Sequence, residues 1–165
     1  MIVVADSSPL HYLILIEQAE LLRRLYGEVA IPDVVAAELR AERSPRKVRE
    51  WLSAPPPWLR VSGVTPEEIA SVPETLDLGE RAAIALAERI HAELLLIDEA
   101  AGRTEARQRR LRVTGTLGVL RTGADAGFVD VPDVLTRLES TNFYVDETLL
   151  KSIFGRWLER DAEQR

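Results

Sequence analysis

Four carboxylates stand out by type and place. Asp6 ends the apolar run "IVVA", and Asp98 ends the apolar run "LLLI". Glu38 lies in "VVAAEL", four residues after Val34, three after Val35 and next to Leu39. On a helix that is the edge of the apolar face, not clearly its solvent side. Glu80 follows Gly79 at the start of the most helix-like segment of the chain. Acids gathered at one place repel each other and hold their protons more tightly unless cations compensate. Mg²⁺ or Mn²⁺ is the natural partner, because these hard ions take carboxylates plus water and leave room for phosphate oxygens. Such a site can activate a water and stabilise the leaving oxygen of a phosphodiester. Ser8 could add a hydroxyl to the metal-bound water or to the substrate, and capping the next helix is an equal use for it. Each acid also has a plain structural use. An Asp after a strand caps the following helix, a Glu in a first turn complements the helix dipole, and a boundary Glu reaches water.

Whether the acids meet depends on the elements that carry them. Ile2 to Ala5 reads as a short buried strand, followed by a helix with Ser8 as N-cap and Pro9 in its first turn. "AELLRRLYG" predicts a short helix ended by Gly27. "EVAIPDVVAAELRAER" predicts a strand and then a helix from Pro32, and "SPRKVREWL" a further helix. The proline-stiffened "SAPPPWLRVSGV" leads to a strand near Leu59 to Val61, and "TPEEIASV" is a short helix capped by Thr65. "LDLGERAAIALAERIHA" is the clearest helix, "ELLLI" a buried strand, "EAAGRTEARQRRL" a helix and "RVTG" a short strand. "TLGVLRTGADAG", "VPDVLTRLEST" and "DETLLKSIFGRWLERDAEQR" complete the chain as helices.

Strands alternating with helices predict an α/β fold, a parallel sheet covered on both faces. In such a sheet the carboxyl ends of the strands share one edge, and ligands bind there at the point where strand order reverses. Asp6 and Asp98, distant in sequence, become neighbours on that edge. No repeat or low-complexity tract interrupts the chain. Residues 1–140 are expected to form the domain, with 141–165 as a C-terminal helical extension. Its stripe of Leu149, Leu150, Ile153, Phe154, Trp157 and Leu158 is expected to pack on the domain, on a second copy or on a partner.

Composition narrows the chemistry. The chain has 165 residues, 46% of them hydrophobic and 29% charged, which is a folded rather than a disordered profile. It contains no cysteine, so thiolate metal sites are excluded, and a reducing cytoplasm is the expected location. Two histidines, His11 and His91, are too few for a multi-histidine zinc site, and neither reads as a general base. No stretch reaches transmembrane length, and Asp6 interrupts the first apolar run, so neither a membrane span nor a signal peptide is expected. The G-x-G-x-x-G, P-loop and G-x-S-x-G patterns are missing, which removes the dinucleotide, P-loop and serine-hydrolase readings. The net charge of −6 argues against broad nucleic-acid affinity through bulk charge and leaves a local basic groove open.

The segments "VVADSSPL", "IPDVVAAEL", "LDLGERAAIALA", "LLLIDEAAGR" and "VTGTLGVL", in this order, resemble the PIN-domain family, in particular a branch related to VapC-type toxins. The similarity runs from about residue 2 to residue 130. It implies a three-layer α/β/α sandwich around a central parallel sheet and metal-dependent cleavage of RNA. The family's metal-binding acids match Asp6, Glu38, Glu80 and Asp98, and its small polar residue after the first acid falls on Ser7 or Ser8, with Ser8 preferred. Glu99 is a candidate outer acid. Typical VapC toxins carry "T.D" at the last acid, where this chain has "IDE". A small antitoxin and a second copy of the chain are the partners the resemblance implies.

The basic run "GRTEARQRRLR" follows directly from Asp98. Arg103, one helical turn into the run, is the expected phosphate contact, and Arg107 with Arg110 could extend a track for the RNA backbone. Arg109 and Arg112 are expected to face solvent. "RAERSPRKVR" is a second basic stretch near Glu38, either the other wall of a groove or a solvated face. Two other classes compete with the enzyme: a binding protein that keeps the acids without turnover, and a receiver-like signalling domain. Against the latter, Asp6 stands alone after the first strand, and no Lys lies near "RVTGT".

Overall fold

Short runs of Val, Ile and Leu build a five-stranded, all-parallel sheet. The computed structural model describes residues 1–165. In chain order the elements are β1 Val3–Ala5, α1 Ser7–Leu15, α2 Glu20–Tyr26, β2 Val29–Pro32, α3 Asp33–Arg40, α4 Arg46–Ser53, β3 Leu59–Ser62 and α5 Pro66–Ala70. They continue with α6 Leu78–Arg89, β4 Leu94–Leu96, α7 Ala100–Gln108, β5 Val113–Thr114, α8 Thr116–Asp125, α9 Val131–Glu139 and α10 Glu147–Gln164. Strand order is β3-β2-β1-β4-β5, so the order reverses between β1 and β4.

Successive residues of a strand point to opposite faces, so a strand buried throughout is covered on both. Val3, Val4 and Ala5 of β1 are all buried, as the expected α/β/α sandwich requires. The register places Val4 beside Ala30 and Leu95, and Leu95 beside Val113, as one row across the sheet. That row packs on the alanine-rich helix α6, whose Ala82, Ala83, Ile84, Leu86 and Ala87 are buried. Small residues let this helix lie close to the strands while its polar residues stay at its ends. Val3, Val29, Ile31 and Leu96 occupy the other face and are buried as well.

Local chemistry explains the element ends. Gly27 closes α2 at φ 82°, a conformation open to glycine. Thr65 and Asp77 begin α5 and α6 with reciprocal capping boxes to Glu68 and Glu80. One expected cap differs. Helix α1 starts at Ser7 with Asp6 as N-cap, and no side-chain cap hydrogen bond forms there. Ser8 thus lies inside the first turn, and its hydroxyl has another partner.

Two compact units divide the chain, Met1–Thr116 and Leu117–Arg165. The first holds the sheet. In the second, Phe154 and Leu150 of α10 are buried, whereas Leu149 is exposed. Arg121 donates to the Ile153 carbonyl at 2.8 Å and pairs with Asp125 at 3.1 Å, and Arg156 pairs with the same Asp125. The guanidinium groups of Arg121 and Arg156 lie 5.1 and 4.1 Å from the Trp157 ring centroid, a cation–π arrangement. No helix is long and apolar enough to cross a membrane.

Candidate functional site

The strand-order reversal places the two strand-end acids after neighbouring, paired strands. The Asp6 N–H donates to the Leu96 carbonyl at 2.9 Å, which ties the residue after β1 to the end of β4. Asp6 is 3% exposed. Beside it, the Ser7 hydroxyl donates to Glu38 Oε2 at 3.1 Å and lies 3.4 Å from Asp6 Oδ1. Glu38, on α3, reaches the start of α6. Its oxygens approach so closely that a Cβ on Gly79 would stand 2.7 and 2.9 Å from them. The Gly79 N–H also donates to the Glu38 carboxylate. Glycine is needed here for close approach rather than for an unusual φ.

Glu80, 4% exposed, is held by its capping box: its N–H donates to Asp77 Oδ1 at 2.8 Å, and the Asp77 N–H donates to Glu80 Oε2 at 3.3 Å. Gly102, in the first turn of α7, lies beside Glu80 and lets that helix pack on Ile97, since a Cβ there would stand 2.7 Å from Ile97 Cδ1 and 3.6 Å from the Glu80 carboxyl carbon. Asp98 sits slightly apart. Its Oδ2 accepts from the Ser8 hydroxyl at 2.8 Å and from the Thr116 hydroxyl at 2.7 Å, and its Oδ1 accepts from the Thr116 N–H at 2.7 Å. Arg103 Nη1 and Asp98 Oδ1 both lie against Gly115, where a Cβ would meet them at 3.0 and 2.5 Å.

The electrostatics divide the acids the same way. Burial pushes the Asp6 carboxyl up to about 8, opposed by the Ser7 backbone N–H and reinforced by the negative charges of Asp77, Glu80 and Glu38. Burial also raises Glu38; the Ser7 hydroxyl opposes it, Asp77 adds to it, and the Arg43 guanidinium partly offsets it. Glu80 is raised by burial, then by Asp77, with its hydrogen bond to the Asp77 backbone opposing and Glu99 and Glu38 adding. The Tyr12 phenol is raised by burial and by the charges of Asp98 and Glu99. Asp6, Glu38, Asp77 and Glu80 thus share one electrostatic pool. Asp98 adjoins it through Ser8.

Several residues of this site carry no strong signal in sequence. Asp77 hides in "DLGE", where the structure shows it to be the N-cap of α6 in a capping box with Glu80. Ser7 and Ser8 both touch acids, so the two candidates for the small polar position divide the work between Glu38 and Asp98. Arg43 belongs to the basic stretch near Glu38, and its proximity singles it out from its neighbours. Arg107 is exposed, farther along α7. Arg109 is a correction: it does not point freely to solvent. It pairs with Glu105 at 2.8 Å and Glu88 at 2.6 Å and donates to the Ser71 carbonyl at 2.8 Å, pinning α7 to α6 and to the end of α5. His11 is half-buried, its imidazole pKa lowered by burial, with its ring against Tyr12 and away from these contacts.

The donor set suits a hard cation: carboxylate and hydroxyl oxygens only, with Asp6 surrounded by negative charge. No three acidic or imidazole side chains converge as a ready-made cage.

No curated protein matches the sequence. PIN domains are generally nucleases and usually use divalent metals. The parallel sheet and its reversal at β1 and β4 agree with the match of residues 2–159 to the family model DUF3368, described as a PIN domain, and the chain belongs to that family.

Proposed function

We propose that the protein is a Mg²⁺- or Mn²⁺-dependent endoribonuclease that cleaves RNA phosphodiesters. One observation carries the reading: Asp6 and Asp98 follow the two paired strands that flank the strand-order reversal, with Glu38 and Glu80 gathered beside Asp6. The choice of RNA rests on the resemblance to VapC-type ribonucleases. Asp6, Glu38 and Asp98 would hold the ion, and Glu80 would hold a second ion or orient the attacking water. When bound, the ion supplies an activated water and neutralises the leaving oxygen. No side chain needs to act as a covalent nucleophile. Burial and neighbouring acids make Asp6 a proton-holding group in the metal-free protein, so taking up a cation means releasing a proton. Arg103 beside Asp98 and Arg43 beside Glu38 would hold phosphates on either side of the reacting one, with Arg107 farther along the strand.

The test is cleavage of single-stranded RNA with Mn²⁺ by the wild type and by Asp6→Asn. Metal-dependent cleavage that disappears in the variant, with near-ultraviolet circular dichroism unchanged, is the expected result. Full activity in Asp6→Asn would sink the assignment. The same resemblance proposes the toxin of a toxin–antitoxin pair, with a small antitoxin and a second copy as partners; sedimentation of the purified chain tests the homodimer.

A further inference from the structure

Thr116 is completely buried, 0% exposed, at the first position of α8. A buried hydroxyl is costly unless it is paired. This one is paired to the Asp98 carboxylate, and the backbone N–H of the same residue takes the other oxygen; both bonds are 2.7 Å. Two bonds from one residue fix the plane of a carboxylate as well as its place, which a single hydrogen bond does not do. The Ser8 hydroxyl adds a third donor, at 2.8 Å from Oδ2. Gly115 makes the approach possible, because a Cβ there would overlap Asp98 Oδ1 at 2.5 Å.

Each carboxylate oxygen offers about two lone-pair sites. Oδ2 uses both on the Thr116 and Ser8 hydroxyls, and Oδ1 uses one on the Thr116 N–H. We propose that Thr116 is a positioning residue of the acidic site: with Ser8 it locks Asp98 so that a single lone pair of Oδ1 is left to face a divalent cation. This rests on the metal-dependent reading above. Ser8 then acts on Asp98 rather than on substrate. A residue that only filled space at position 116 would be replaceable by valine, which keeps the shape and loses the hydroxyl.

The experiment is Mn²⁺ titration of the full chain by calorimetry for the wild type, Asp98→Asn, Thr116→Val, Thr116→Ser and Ser8→Ala, with thermal melts alongside. Thr116→Val is expected to weaken Mn²⁺ by about 10-fold or more, the usual effect of removing a ligand's supporting hydrogen bond. Thr116→Ser should restore binding to within about 3-fold of the wild type, and Ser8→Ala should weaken it in the same direction. If Thr116→Val fails to fold, the Ser8→Ala and Thr116→Ser pair decides alone. Wild-type affinity in Thr116→Val, with binding lost in Asp98→Asn, would overturn the positioning role and leave the metal reading standing. Unchanged binding in Asp98→Asn would overturn it too, since there would be no ligand to position. Absence of Mn²⁺ binding in the wild type would remove both.

Discussion

At the scale of single residues, Asp6 carries the sharpest consequence. Its carboxyl, ordinarily near 3.8, stands at about 8 in the folded protein because it is buried among acids. Glu38 and Glu80 shift in the same direction. The folded state therefore holds protons that the unfolded chain has released. The stability associated with protonated Asp6 is fully present below about pH 4 and is lost as pH rises towards 8, with a ceiling of about 6 kcal/mol. Denaturant unfolding of the metal-free protein should show stability falling between about pH 5 and pH 8. Asp6→Asn should flatten that slope and exceed the wild type at the upper pH. Saturating Mn²⁺ should also remove the slope, because a cation favours the carboxylate. A wild type as stable at pH 8 as at pH 5, with no gain in Asp6→Asn, would show that Asp6 is not held protonated. Asp6 was legible in sequence because a carboxylate ending an apolar run is chemically odd. Thr116 was not, because a threonine in "TGTLG" is ordinary until the fold places it against Asp98.

At the scale of elements, periodicity and caps were readable where they act locally. The five strands, helix α6 and the Thr65 cap follow from apolar spacing and short-range hydrogen bonding. The role of Ser8 was misplaced because an N-cap and a bond to a distant strand end look the same in one dimension. Glu38 meeting α6 is a tertiary event with no local trace, and Gly79 is where it can be tested. Alanine suits a helix better than glycine by up to about 1 kcal/mol, so propensity alone predicts that Gly79→Ala stabilises α6. The added Cβ would stand 2.7 and 2.9 Å from the Glu38 oxygens, so that carboxylate must move. We expect a melting temperature close to the wild type, with Mn²⁺ affinity reduced about 10-fold or more. Gly155→Ala in α10 is the contrast, because its Cβ meets nothing within 4 Å. There the propensity gain should appear as stability, up to about 1 kcal/mol, with metal affinity unchanged. Equal Mn²⁺ affinity in wild type and Gly79→Ala would mean that Glu38 does not serve the ion.

At the scale of the whole molecule, the net charge and the proposed RNA substrate conflict only if charge is averaged. A chain of net charge −6 repels a polyanion overall. Exposed charges farther than about 8–10 Å are largely screened at physiological salt, so under the proposed function the groups at the acidic edge would decide binding. The arginines there are Arg103, against Gly115 and Asp98, and Arg43, close enough to Glu38 to offset its burial. Arg107 lies one turn after Arg103 on α7. Three phosphate contacts on a single strand predict a dependence of log affinity on log salt of about −2, at about −0.7 per contact. Removing Arg43 or Arg103 should make that slope shallower by about 0.7 and weaken binding alike across RNA sequences. Arg60, on edge strand β3 and paired with Glu28 at 3.0 Å, is the matched control, and Arg60→Ala should leave the slope as it was. The measurement uses a short single-stranded RNA titrated over a range of salt in Ca²⁺, which occupies oxygen sites without assuming turnover. If Arg60→Ala lowers the slope as much as Arg103→Ala does, the contact is diffuse and the edge is not a groove. If Arg43 and Arg103 each remove their share and together remove twice as much, the proposed RNA strand runs from Arg43, beside Glu38, across the acids to Arg103 on α7.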